Sequence, residues 1–308
     1  MTMRPFLFFI PIIFLIFIFS SCTQSFYLCY FKEDNLRSVT LNFIEQASQS
    51  LDLCVYDISD EEVISLLETK QSNGVRVRIC TDDDNPVFMD SASVIYDKDG
   101  LMHNKYIIAD GRKLWFGSTN LTPTSLENHE NNVIITNDQP LISEFKRHFE
   151  QCFNGDFKTL RTPVESHLVK FSPEEDCLEM ILTALSGAKE SVEIAMFAFT
   201  DNRIAHYLKI LSSKGVKIRI VADREWNLSS IYSDIEELSR YADIRLDGCS
   251  GLLHEKFIIV DDRILLTGSY NYTAAAQNKN DEFLFRTTDH SLLEPFRSHF
   301  ERLWEEGL

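Results

Sequence analysis

Two short stretches of the chain carry side chains able to do chemistry at a fixed spacing. The first reads His103-Asn104-Lys105, then Asp110, then Gly117-Ser118-Thr119-Asn120. The second reads His254-Glu255-Lys256, then Asp261, then Gly268-Ser269-Tyr270-Asn271. In an extended segment residues i and i+2 share a face, so His103 stands with Lys105 and His254 with Lys256. A neutral imidazole beside an ammonium suits attack on phosphorus, because the lysine neutralises the phosphoryl oxygens. Each Gly-Ser-x-Asn turn adds a hydroxyl (Ser118, Ser269) and an amide (Asn120, Asn271) as phosphate donors. Two copies let one histidine attack while the other protonates the leaving oxygen. Asp110 and Asp261 complete the catalytic constellation, and their position after an apolar strand fits fixing the strand–turn geometry better than carrying protons.

The elements that must position these residues also come in two copies. Residues 100–122 match 251–273 at 13 of 23 positions, and among the identities are His, Lys, Asp, Gly, Ser and Asn, which a hydrophobic core would not demand. Leu51–Asp82 aligns with Val192–Asp223, and Phe145–Glu150 with Phe296–Glu301. Ten extra residues fall between Asp223 and His254, around Trp226 to Ala242. A period of about 150 residues is a duplicated domain and not a solenoid. Each copy predicts a helix (Val39–Ser50; Leu178–Ala188), a strand (Leu51–Tyr56; Val192–Phe197) and a second helix (Glu61–Gln71; Asn202–Ser213) ending at Gly74 or Gly215. A β-branched strand follows (Val75–Thr81; Val216–Ala222), and an amphipathic helix closes the copy (Leu141–Phe153; Leu292–Trp304). Strands alternating with helices give an α/β layered fold. His148 and His299 belong to the closing helices, and Asp82-Asp83-Asp84 reads as a solvated loop.

H-x-K-x4-D followed by G-S-x-N, present twice, resembles the phospholipase D superfamily over nearly the whole chain after residue 30. The resemblance implies a duplicated α-β-α sandwich with pseudo-twofold symmetry, residues 31–165 and 166–308 forming the repeats and one active site at their interface. It also implies a covalent phosphohistidine, no metal and no cofactor. On that basis His103 and His254 are nucleophile and general acid/base, with His103 the nucleophile. Lys105, Lys256, Asn120 and Asn271 hold the phosphate, supported by Ser118 and Ser269. A carboxylate orients a catalytic histidine in this family, and Glu282 fits that role for His254. Asn132 is aligned opposite Glu282 in the first repeat, so either Glu130 substitutes there or that half-site has an amide partner.

The substrate class is read from charge and address. Thirty Lys and Arg stand against 47 Asp and Glu, a net charge of −17, which disfavours bulk binding to nucleic acid. Candidates for a basic stripe serving a nuclease, the alternative reading, are Lys158, Arg161, Lys170, Arg224 and Lys279. Residues 1–22 read as a signal peptide of lipoprotein type: Arg4, an apolar run from Phe6 to Phe19, then Ser20-Ser21-Cys22 with Cys22 the lipidation site. An uncleaved anchor and plain secretion are the other readings, and all three export the body to a membrane surface or beyond. The expected substrate is thus a phospholipid head-group phosphodiester, with no obligate protein partner. A non-catalytic surface lipoprotein is the remaining alternative. Six further cysteines show no Cys/His ligand spacing for zinc, and Cys54 and Cys80 read as buried thiols.

Overall fold

The computed structural model describes residues 25–157 and 168–308, apart from 88, 90–92 and 99. The expected signal peptide with Cys22, the expected repeat boundary at 165/166, and Lys158 and Arg161 lie outside the described residues. The first repeat builds a mixed sheet from β1 (Tyr27–Phe31), β2 (Ser50–Val55), β3 (Arg76–Asp82), β4 (Ser93–Asp97), β5 (Lys105–Ala109), β6 (Lys113–Gly117) and β7 (Asn132–Thr136), in the order β1-β7-β6-β5-β2-β3-β4. The second uses β8 (Val169–Ser172), β9 (Ser191–Met196), β10 (Lys217–Ala222), β11 (Asp243–Leu246), β12 (Lys256–Val260), β13 (Ile264–Gly268) and β14 (Glu282–Thr287), in the order β11-β10-β9-β12-β13-β14-β8. In each sheet three strands run parallel (β2, β3, β4; β9, β10, β11) and the rest pair antiparallel. The first sheet thus begins ahead of the expected boundary at 31, because β1 pairs with β7.

Both faces of each sheet are covered, and the period of two along the strands shows how. Tyr106 and Ile108 of β5 and Phe257 and Ile259 of β12 face one shared central core. Ile107 faces an outer core with the helices Leu36–Glu45 and Glu61–Ser72, and Ile258 and Val260 face its counterpart on the second repeat. The closing helices Gln139–Phe153 and His290–Glu306 fill the central layer between the sheets. The first also touches β8 of the second repeat, and the second touches β1 of the first, so the halves interlock.

The helix expected over Val39–Ser50 spans Leu36–Glu45 instead. The reason lies far away in sequence. The Asp110 carboxylate accepts from the backbone N–H of Ser48, Gln49 and Ser50 at 2.7–3.1 Å and draws those residues out of the helix. Asp261 does the same to Lys189, Glu190 and Ser191 at 2.8–3.1 Å. Gly74 and Gly215, with φ of 85° and 87°, end the preceding helices in the left-handed conformation that favours glycine.

Candidate active site

His103 and His254 lie in the loops immediately before β5 and β12. Lys105 is paired with Val55 at the carboxyl end of β2, and Lys256 with Met196 at the carboxyl end of β9. The site therefore sits at the carboxyl ends of the parallel strands, where α/β sheets open a crevice. Two buried carboxylates shape the loops: Asp82 accepts from Met102 N–H at 2.8 Å and Asp223 from Leu253 N–H at 2.9 Å. Each histidine's own backbone is held by the opposite repeat. His103 N–H donates to the Asp281 carbonyl (2.8 Å) and His254 N–H to the Glu130 carbonyl (2.9 Å). The two rings are brought to 6.5 Å between centroids and stand nearly perpendicular, at 80°.

Side-chain support also crosses between repeats, and it is unequal. Glu282 of the second repeat accepts from His103 Nδ1 at 2.7 Å, its other oxygen accepting from Asn280 at 3.1 Å. Asn131 of the first repeat accepts from His254 Nδ1 at 3.0 Å. The Asn131 amide is not free to flip, since its Nδ2 donates to the Ser125 carbonyl and its Oδ1 also accepts from Ser118. Both acceptors place the proton on Nδ1, which makes Nε2 the reactive nitrogen of each ring. Tyr56 packs against His103 (5.3 Å) and Phe197 against His254 (5.3 Å).

Lys105 and Lys256 are fully buried, each donating to the carbonyl of its own histidine at 2.5 and 2.6 Å. Their ammonium groups lie over the Tyr56 and Phe197 rings at 5.3 and 5.0 Å. Burial pushes Lys105 down to about 7 against the pull of Glu282, and burial together with Lys105 holds Lys256 well below its ordinary value. Burial likewise pushes His103 down to about 4, Glu282 opposing, and drives His254 well down with help from both lysines. Four nitrogen bases thus share a cleft in which Glu282 is the carboxylate hydrogen-bonded to a catalytic ring. Such a cleft favours an anion, which lets the lysines regain their charge. The half-buried Asn120 and Asn271 each have an amide oxygen buried without a partner, so the fold does not consume these side chains.

Several sequence expectations change. Glu282 orients His103, not His254, because the half-sites exchange partners across the interface. The residue facing His254 is Asn131, one before the expected Asn132; Asn132 instead donates to Glu255. Glu130 does not substitute, its carboxylate being held by Lys32 (3.0 Å) and Arg302 (2.5 Å). Ser118 and Ser269 are fully buried and not open to a phosphate: Ser118 donates to Asn131 Oδ1 and accepts from Asn132 N–H, and Ser269 accepts from Phe283 N–H. Asp110 and Asp261 are not catalytic, as they sit past the opposite ends of β5 and β12 and cap the turns described above. Asp82 is buried and holds the His103 loop; of that acidic run Asp83 and Asp84 are solvated. Asp82 and Asp223 were the last residues of an aligned block, and that shared position was the signal for their common role. Away from the site, Cys54, His148 and Cys152 come together in the core, with the His148 ring nitrogens taken by Tyr106 (2.7 Å) and Asp281 (2.9 Å). Among the described residues no helix is long and apolar enough to cross a membrane.

Two interlocked sheets with a paired His-Lys centre make a duplicated two-motif fold, and comparison with known proteins gives it a family. The model of the family described as "Cardiolipin synthase, PLD-like domain" matches residues 40–153 and 181–304, and the chain belongs to this phospholipase D-like family. It is 35% identical over 133 residues to a mitochondrial cardiolipin hydrolase of Xenopus laevis, covering 43% of this chain and 63% of the relative. It is 35% identical over 127 residues to a phospholipase D of Rickettsia conorii, covering 41% and 63%. The chain thus spans less than two thirds of the length of these relatives. The fold is shared with the phosphatidylserine synthase of Haemophilus influenzae, at a TM-score of 0.68 and 14% identity over 92% of this chain and 87% of that one.

Proposed function

We propose that the chain is a phosphodiesterase that hydrolyses the head-group phosphodiester of a phospholipid through a phosphohistidine at His103. The observation that carries this reading is the unequal support of the two rings. An attacking imidazole becomes a cation as it bonds to phosphorus, and the Glu282 carboxylate on Nδ1 of His103 stabilises that charge. Asn131 fixes the tautomer of His254 without adding a negative charge, so His254 gives up its proton readily. In the first step Nε2 of His103 bonds to phosphorus, the bond to the leaving oxygen breaks, and that oxygen takes the proton from Nε2 of His254. In the second, neutral His254 takes a proton from water, the water oxygen bonds to phosphorus, and the P–N bond breaks to regenerate His103. Lys105 and Lys256, with the Asn120 and Asn271 amides, neutralise the phosphoryl oxygens, and bound phosphate in turn restores charge to the lysines and to His254. The positive charge comes from these side chains, and no step uses a metal.

The lipid assignment is supported by the acidic body and by the relatives' names. A nuclease stripe gains little support among the described residues: Lys170 is occupied by Glu179 and the Asp176 carbonyl, Lys279 is exposed, and Arg224 lines a surface pocket among the acidic Asp223, Glu225 and Asp247. Export to a membrane surface, with lipidation at Cys22, belongs to the same proposal and is supported by the apolar run Phe6–Phe19. Labelled fatty acid should enter the chain and be lost in Cys22→Ala.

The test is head-group release from mixed phospholipid vesicles in excess EDTA, with His103→Ala as the blank. Release that survives EDTA and disappears in the variant is expected. Without release, His103-dependent cutting of single-stranded DNA would replace the lipid reading with the nuclease. A biological effect unchanged in His103→Ala would instead indicate a binding protein. The division of labour is read with bis(4-nitrophenyl) phosphate, whose leaving group needs no acid. His254→Ala should keep a burst of nitrophenol there yet release no lipid head group, whereas His103→Ala should lose both.

A further inference from the structure

The ten residues that the second repeat has and the first lacks build a feature on the rim of this cleft. After β10 the chain forms the short helices Arg224–Ser229 and Ile235–Leu238. Between them Leu228, Ile231 and Tyr232 are 71%, 89% and 75% exposed, three of the largest apolar exposures on the described surface. Such exposure in a loose loop would mean little, but this segment is pinned on both sides. Asn227 donates to the Phe197 carbonyl at 3.0 Å, Asp234 N–H donates to the Phe199 carbonyl at 3.0 Å, and Ser233 joins the pins by donating to Asn227 at 2.8 Å. The pins stand beside the site: Phe197 is edge-on to His254, and Trp226 packs against Phe197 at 6.0 Å. The fold thus holds three apolar side chains out in water on a segment whose first helix carries Trp226, one ring away from the proposed general acid.

We propose that residues 228–232 form an interfacial wedge that enters the outer layer of a phospholipid bilayer and sets the cleft against it. This rests on the lipid phosphodiesterase reading and extends it to how substrate is reached. Three observations choose a bilayer as the occupant. The segment that bears the patch is pinned to the Phe197 and Phe199 carbonyls, next to the ring that packs on His254. An exposed Leu-Ile-Tyr tip with no cation inside it matches an acyl–headgroup boundary, whereas a nucleic-acid platform needs Lys or Arg interleaved with its aromatics. The chain also carries the apolar run Phe6–Phe19, proposed above as its tether. Charge further narrows the surface. Arg224 stands next to Glu225, Glu236 and the Lys209-paired Glu237 flank the far side, and the whole chain is at −17, a balance that does not favour an anionic membrane. The matching surface is zwitterionic.

The experiment keeps the full-length chain and reads the wedge locally, so that binding through the N-terminal segment does not mask it. Ile231→Trp is mixed with vesicles of phosphatidylcholine carrying brominated acyl chains, and its emission is taken as the difference from wild type. A blue shift with quenching is expected, weaker when phosphatidylglycerol is mixed in at low ionic strength. Leu228→Asp/Ile231→Asp should cut vesicle turnover by about tenfold or more, given the apolar area withheld from the bilayer, and leave bis(4-nitrophenyl) phosphate hydrolysis unchanged. An unquenched difference signal from the Ile231→Trp chain, while that chain still sediments with vesicles, would overturn the proposal. So would an equal loss on both substrates, or a spectral shift produced by single-stranded DNA and not by vesicles. Adding His103→Ala to the Ile231→Trp chain separates the two readings. Quenching should persist there, because docking needs no turnover, and activity persisting there would sink the catalytic reading alone.

Discussion

Replacing Glu282 by Gln removes one negative charge from the cleft and little else. The carboxylate lies 2.7 Å from His103 Nδ1, is itself fully buried, and its second oxygen is held by Asn280, so the amide keeps both shape and an acceptor. What is lost is attraction between the carboxylate and the imidazolium-like ring of the transition state. Two unit charges about 4 Å apart at an effective dielectric constant of about 20 attract by about 4 kcal/mol. Every ~1.4 kcal/mol in the barrier is a factor of ten, so the chemical step should slow by up to about 10³-fold. Ground-state binding of the anion loses no attraction, and the Michaelis constant should stay level or fall. Asn131→Ala at the other histidine removes a neutral hydrogen bond of about 1 kcal/mol, a rate loss of about fivefold at most and less on a substrate whose leaving group needs no acid. The assay is single-turnover cleavage of bis(4-nitrophenyl) phosphate, with quenched samples digested to find phosphohistidine. If Glu282→Gln loses no more rate than Asn131→Ala, the carboxylate does not stabilise the attacking ring. Phosphate recovered on His254 would refute the assignment outright.

The remaining predictions concern protons, anions and turns. On bis(4-nitrophenyl) phosphate, which needs no proton from His254, kcat/KM of the free protein should fall below about pH 4, as His103 is protonated, and above about pH 7, as Lys105 loses its charge. The upper limb should shift to higher pH in kcat, because bound phosphate restores the ammonium. Inorganic phosphate or vanadate should raise Tm by relieving the buried lysines, an effect lost in Lys105→Met/Lys256→Met and read by calorimetry. Asp110→Ala strands three backbone N–H donors and should cost about 1–3 kcal/mol in urea unfolding while leaving turnover per folded molecule intact. Despite partial burial, those donors hold the Asp110 carboxyl below its ordinary value, so its contribution is present at neutral pH. The wild-type advantage should disappear as pH falls through that lowered value, as paired acid-unfolding curves would show.

Much of this protein is written locally. The duplication, the α/β alternation and the two His-x-Lys pairs are legible because each depends on neighbours in sequence: a period of two placed Lys105 beside His103, and a glycine after an apolar period ended each second helix. Where a distant group intervened, local pattern failed. The first helix stops at Glu45 because Asp110 claims the N–H groups of residues 48–50. The largest change concerned the two catalytic rings. Aligning the repeats puts Asn132 opposite Glu282; the structure shows Asn131 in the equivalent place, and the alignment is silent on which histidine either residue faces. That choice is made when the two sheets interlock through β1, β8 and the closing helices, which sends each repeat's Glu130–Asn131 or Asp281–Glu282 segment across to the other repeat's histidine. The roles of Ser118 and Ser269 were decided by packing within each repeat, which buries both hydroxyls against β7 and β14. Residue types and spacing determined which chemistry the chain can perform. Only the tertiary structure decided which histidine carries the carboxylate, because a charge acts through distance in space and not along the chain.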